Sequence, residues 1–172
     1  MSPAPYLLCA SLLFGGTAHV VHAKTPGEVE VGQTVREAKM RGLNSPDRTL
    51  SAYRGKALLI NVWASWCGPC RAEMGTLERL AWQEQSIPFA VIGISTDDHE
   101  AAAKSYLRAS NATLNHYIDQ GLELENMLGA DRLPLTILLD AQGKVLGKHY
   151  GAREWDQPEA KAWIESRLRG WK

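Results

Sequence analysis

Residues 61–74 read NVWASWCGPCRAEM, and its two cysteines, Cys67 and Cys70, stand three positions apart where one kind of sequence gives way to another. Before them, ALLINVWA (Ala57 to Ala64) is an almost unbroken apolar, β-favouring run, the pattern of a strand buried on both faces. After them, Met74, Leu77, Leu80 and Ala81 recur at helical spacing, which predicts a helix from Cys67 to about Gln85. Cys67 thus falls at a strand-to-helix junction. Free backbone N–H groups and the helix dipole at such a place favour a thiolate and lower its pKa. Pro69 is tolerated in that first turn because its missing N–H would have had no helical partner.

Two bland uses of a cysteine pair fit poorly. A structural disulfide stabilises more the longer the loop it closes, and a bridge over two residues closes almost nothing. A structural zinc site needs four ligands; no second cysteine pair exists, and His99, His116 and His149 lie scattered. Thiol–disulfide exchange remains. Cys67 would attack a substrate disulfide as the thiolate, and Cys70, one helical turn deeper, would resolve the mixed disulfide.

The surroundings set the frame for that pair. The chain has 172 residues, and its 19 Lys plus Arg balance 19 Asp plus Glu, so its formal net charge is zero. That balance gives no reason to expect nucleic acid or an anionic membrane as partner. No repeat, low-complexity tract or linker divides residues 24–172, which read as one domain. Residues 1–23 contain no charged side chain, and YLLCASLLF (Tyr6 to Phe14) is shorter than the roughly 20 residues needed to span a bilayer. The run fits the apolar core of an export signal, with Val21 and Ala23 as small residues before a cleavage point, although no basic residue precedes it. Cleavage would remove Cys9 and leave a soluble exported chain; retention would make the segment an anchor.

Further along, the stretch 25–56 is turn-rich with short strand-like pieces. FAVIGIS (Phe89 to Ser95) predicts a second buried strand, and NHYI (Asn115 to Ile118) a short one followed by a helix over Leu122 to Leu128. Asp97 with Glu100, and Asp156 with Glu159, have the spacing of reciprocal N-caps that open two helices. The second helix carries the apolar stripe Ala160, Trp163, Ile164 and Leu168. LTILLD and KVLGKHY flank AQG, a hairpin in which Gly143 is free to take positive φ. Strands alternating with helices, then a hairpin and a helix, predict an α/β sheet with helices on both faces.

WCGPC after an apolar strand resembles the thioredoxin superfamily, and RLPLTILLDAQGKVL (Arg132 to Leu146) resembles the segment where that family carries a cis-proline facing the active site. Together with YRGKALLINVWASWCGPCRAEM and GISTDD, the pattern over about residues 40–170 is similar to the TlpA/ResA/CcmG-like branch. The resemblance implies a thioredoxin-like fold: a central mixed sheet flanked by helices, with an N-terminal extension and an extra helix and strand before the cis-proline. It also implies a thiol–disulfide oxidoreductase that needs no bound cofactor or metal, because the sulfurs carry the electrons. By analogy its partners are a membrane thiol-transfer donor and an exported protein disulfide, with apocytochrome c one candidate; no residue pattern marks an oligomer, and a monomer is expected.

Site roles follow from the same resemblance. Pro134, preceded by Leu133, would present backbone to an incoming peptide, and Trp66 would cover the disulfide beside Gly68 and Pro69. Typical thioredoxins place a buried Asp where Asn61 stands here. In the TlpA-like branch a Glu three residues after the second cysteine takes part of its proton-shuttling role, and Glu73 occupies that position. Gly75 stands where the family usually has a helix-kinking proline. The CGPC spacer is that of reducing thioredoxins, which points to a reductase; a disulfide-donating oxidase, a redox-inactive client-binding module and a peroxide-reducing enzyme are the alternatives.

Overall fold

The computed structural model describes residues 25–83 and 89–169. The expected export segment 1–23, the last two residues of the helix expected to reach Gln85, and Trp171 lie outside them. The elements are, in chain order, β1 (Lys39–Gly42), β2 (Arg48–Thr49), a short 3-10 turn (Leu50–Tyr53), β3 (Ala57–Trp63), α1 (Gly68–Gln83), β4 (Phe89–Ser95), α2 (Glu100–Ala109), β5 (Asn115–Ile118), α3 (Glu123–Leu128), β6 (Leu135–Leu139), β7 (Val145–Tyr150) and α4 (Pro158–Arg169). The strands form one mixed sheet in the order β2-β1-β5-β4-β3-β6-β7. β3, β4 and β5 run parallel, and the other neighbouring pairs are antiparallel.

β3 is central, and all seven of its residues are buried. Its side chains alternate between two cores. Leu58, Ile60 and Val62 pack with Ile92, Ile94, Ile137 and the α3 residues Leu124, Met127 and Leu128. On the other face Leu59 meets Leu77 and Leu80 of α1, Trp155, and Ala160 and Ile164 of α4, while Trp63 meets both cysteines, Met74 and the α2 residues Ala103 and Leu107. Helices therefore cover both faces, with α1, α2 and α4 on the face that carries the cysteines. The extra strand β5 and helix α3 precede Pro134, whose bond to Leu133 is cis.

The hairpin forms as its sequence predicts. Asp140 accepts the N–H groups of Gln142 and Lys144 at 2.9 and 2.8 Å, and Gly143 takes φ +76°. The two predicted N-caps do not form. α2 is opened by His99 with no side-chain cap, because Asp97 turns inward to Ser65 and Ser95. Asp156 meets Arg79 Nε at 2.6 Å instead of capping α4. In both cases a partner distant in sequence outcompetes the local motif. α1 runs unbroken through Gly75, where the family usually has a helix-kinking proline.

His116 on β5 is buried at 1% exposure, and neither ring nitrogen has a hydrogen-bond partner among the described residues. Burial pushes its pKa down from 6.5 to about 3. Between those values the unfolded chain binds a proton that the native chain refuses, so stability falls as pH drops through that window. From pH 6.5 to 5 the loss is at most about 2 kcal/mol from this residue. Urea titrations of wild type and His116→Leu at the two pH values check it. The wild type is expected to lose more stability than the variant, and equal losses would refute a buried neutral His116.

Candidate active site

α1 begins at Gly68, so Cys67 sits just before its first turn and Cys70 within it. The two are joined as a disulfide, with their Cα atoms 5.3 Å apart. The Cys70 N–H points at Cys67 Sγ at 3.2 Å, one of the free helix-start donors expected there. Cys67 is 5% exposed and Cys70 is fully buried, so Cys67 is the more accessible of the two. Trp66 is 71% exposed and belongs to none of the three core clusters. Gly68 and Pro69 are exposed beside it.

The turn that delivers Cys67 is fastened by Asp97. This buried carboxylate accepts the Ser65 N–H at 2.9 Å, the Ser65 hydroxyl at 2.6 Å and the Ser95 hydroxyl at 2.7 Å. The Cys67 N–H closes the same turn onto the Ala64 carbonyl at 3.1 Å. Leu133 packs against the cluster that contains both cysteines, and Pro134, next to it, is buried.

Glu73 is not the solvated first-turn carboxylate its helical position allows. It is 2% exposed. Its Oε1 accepts Asn61 Nδ2 at 2.7 Å, and its Oε2 accepts the Arg153 N–H at 2.9 Å and Trp155 Nε1 at 3.1 Å. Burial raises its pKa and these donors lower it, leaving it at about 7. Asn61 cannot titrate, but it ties Glu73 to Thr136 on β6, 3.0 Å away. A cleft of about 210 Å³ lined by Ala72, Glu73, Thr76, Ala152, Arg153 and Glu154 opens beside the carboxyl. Two roomier surface grooves, of about 600 and 580 Å³, include neither cysteine in their walls. No group of three or more candidate metal ligands occurs among the described residues.

A disulfide at a helix start, a buried carboxyl near neutrality one turn on, and a cis-proline loop packed alongside the cysteine cluster make up the candidate site. The Redoxin family profile matches residues 30–164. The chain belongs to the Redoxin family. Within it, the chain is 26% identical over 153 residues to the thiol-disulfide oxidoreductase ResA of Bacillus cereus, covering 89% of this chain and 88% of that one. It is 35% identical over 138 residues to the thiol:disulfide interchange protein DsbE of Vibrio cholerae serotype O1, covering 75% and 71%. A thiol-disulfide oxidoreductase structure from Bacteroides fragilis superposes with a TM-score of 0.67 at 25% identity, over 79% of this chain and 99% of that one. This Redoxin-family chain is accordingly a thiol–disulfide oxidoreductase of the ResA/DsbE type with a thioredoxin-like fold.

Sequence reasoning placed the cysteines, Glu73 and the Pro134 loop, and the structure brings them into one region. It missed Trp155, Arg153 and Thr136 as partners of the Glu73 network, and Asp97 as the anchor of the Cys67 turn. One signal for Trp155 was available: a buried indole N–H needs an acceptor. No helix among the described residues is long and apolar enough to cross a membrane.

Proposed function

We propose that this oxidoreductase is an exported, periplasmic disulfide reductase that uses the Cys67–Cys70 dithiol. Residues 1–23 act as its export signal, and the remainder works as one soluble domain and as a monomer. Cys67, as thiolate, attacks a substrate disulfide, forming a mixed disulfide and releasing the first substrate thiolate. Cys70 gives its proton to Glu73 and attacks Cys67 Sγ, releasing the second thiolate and closing the protein disulfide. Two electrons pass from the dithiol to the substrate, whose thiolates take up two protons. A membrane thiol-transfer protein restores the dithiol. The loop at Leu133 and Pro134 positions the incoming peptide, and Trp66 with Gly68 and Pro69 forms the surface that meets it. The substrate class is an exported protein disulfide, apocytochrome c among the candidates.

The observation that carries this reading is the burial of Glu73 one turn beyond Cys70, held near neutrality. A carboxyl so placed is suited to take the resolving thiol's proton at physiological pH. The CGPC spacer supports the reducing direction. Equilibrating the protein with thiol buffers and following tryptophan fluorescence tests it: a potential near roughly −270 mV is expected, and one near about −120 mV would recast the chain as a disulfide donor. Glu73→Gln is expected to slow resolution by about a hundredfold. The wild-type rate should rise with pH through about 7, as the carboxylate form appears, whereas the variant stays flat there. Stopped-flow decay of the mixed disulfide reads both; equal rates would remove Glu73 from the chemistry.

A further inference from the structure

The three N–H groups that hold Glu73 come from two separate parts of the chain. Asn61 lies on β3, and Arg153 and Trp155 on the loop between β7 and α4. A carboxylate offers about four acceptor positions, two on each oxygen. Oε2 has both filled, by the Arg153 N–H and the Trp155 indole, whereas Oε1 has one filled, by Asn61.

We propose that Trp155 is a positioning residue for the exchange reaction: its indole N–H completes the occupancy of Glu73 Oε2, directs the proton from Cys70 to Oε1, and favours the charged carboxylate until that proton arrives. The proposal rests on the reading of Glu73 as proton acceptor given above. The transfer is simple in balance. The Cys70 thiol loses a proton to Glu73 Oε1, the Cys70 thiolate forms the bond to Cys67 Sγ, and the substrate sulfur leaves with the electron pair of the broken mixed disulfide.

The indole is held where this role needs it. Trp155 is fully buried. Its backbone N–H donates to Thr76 Oγ1 at 3.0 Å, and that hydroxyl donates to the Glu73 carbonyl at 2.7 Å. Ring and carboxylate are thereby tied to one turn of α1 from both ends. His149 and Trp163 pack edge-on to the ring, with centroids 5.5 and 5.8 Å away. The ionisable groups around the carboxyl are Cys70 on its own helix, Arg153 and Glu154 along the cleft, and His149 of β7, which reaches it only through the Trp155 ring. Hydrogen bonds to a carboxylate stabilise its charged form, so losing the indole donor must raise the pH at which Glu73 protonates.

Trp155→Phe keeps an aromatic ring in the core and deletes the indole donor. In the full chain with ¹³C-carboxyl-labelled glutamate, reduced wild type should show Glu73 titrating near neutrality, and the variant should titrate about one to two pH units higher. The break in reduction potential against pH, identified by its loss in Glu73→Gln, should move with it. An unmoved Glu73 midpoint in Trp155→Phe overturns the proposal while leaving Glu73 its proton role. A moved midpoint with no Glu73-dependent break in the potential upholds the control of Glu73 by Trp155 but removes both residues from the reaction. If the variant fails to fold, the wild-type Trp155 indole resonance decides: it should shift through the Glu73 midpoint, and an invariant signal overturns the proposal.

Discussion

Cys67→Ser is expected to abolish disulfide reduction, lowering turnover by more than about a thousandfold. A serine hydroxyl is not ionised at neutral pH and cannot enter a disulfide, so nothing remains to open the substrate bond. Cys70→Ser should behave differently. It keeps the sulfur that is 5% exposed and loses the one that is fully buried, so attack proceeds and resolution does not. A one-to-one mixed disulfide with substrate should then accumulate, visible by mass spectrometry and discharged by added dithiol. Substantial turnover by Cys67→Ser, or trapping by Cys67→Ser in place of Cys70→Ser, would reverse the assignment. Client binding unaffected by either change, with no turnover in wild type, would mean a binding module on the same fold.

The largest effect on stability is expected at Gly93, far from any turn. In the parallel register of β4 with β5, Gly93 pairs with His116. A Cβ on Gly93 would stand 2.1 Å from His116 Nδ1, 2.5 Å from its Cε1 and 2.9 Å from Trp63 Nε1. Both rings are buried, so neither can swing aside as a lysine tip could. Gly93→Ala should therefore cost about 3 kcal/mol or more in urea unfolding. Gly75→Ala supplies the contrast, because it is exposed on α1 with only Arg79 Nη1 at 3.4 Å, and should stabilise by about 0.5–1 kcal/mol. Because Trp63 shares a cluster with both cysteines, the Gly93 variant should also disturb the disulfide's surroundings. A Gly93→Ala protein within about 0.5 kcal/mol of wild type would show that the rings rearrange freely.

The parts of the fold that were legible are those whose signal is local. β3 and β4 fall where expected, β3 one residue shorter, because a strand buried on both faces reads as an apolar run, and the cysteine pair is readable because its spacing has few other uses. The partners of Glu73 were not legible. They stand at residues 61, 153 and 155, and only the pairing of β3 with β6 and of β6 with β7 brings them to one point. Asn61, noted as a departure because it cannot titrate, holds the group that can. Asp97 and Asp156 show the converse error. Each has the local spacing of a cap, yet a serine before the cysteines and an arginine on α1 make better partners, and no helical periodicity could reveal them.

The two outer strands of the sheet differ in sequence but share an effect. β2 has only two residues, one of them Arg48. β7, on the opposite side, has the ends of Val145 taken by the chain that leads into the fold, through Gly32 N–H to its carbonyl and Gln33 carbonyl to its N–H, and Thr34 bridges Lys144. Unpaired strand edges are templates on which other chains aggregate. The short β2 and the covered start of β7 reduce the open edge that another copy of this chain could extend into a shared sheet.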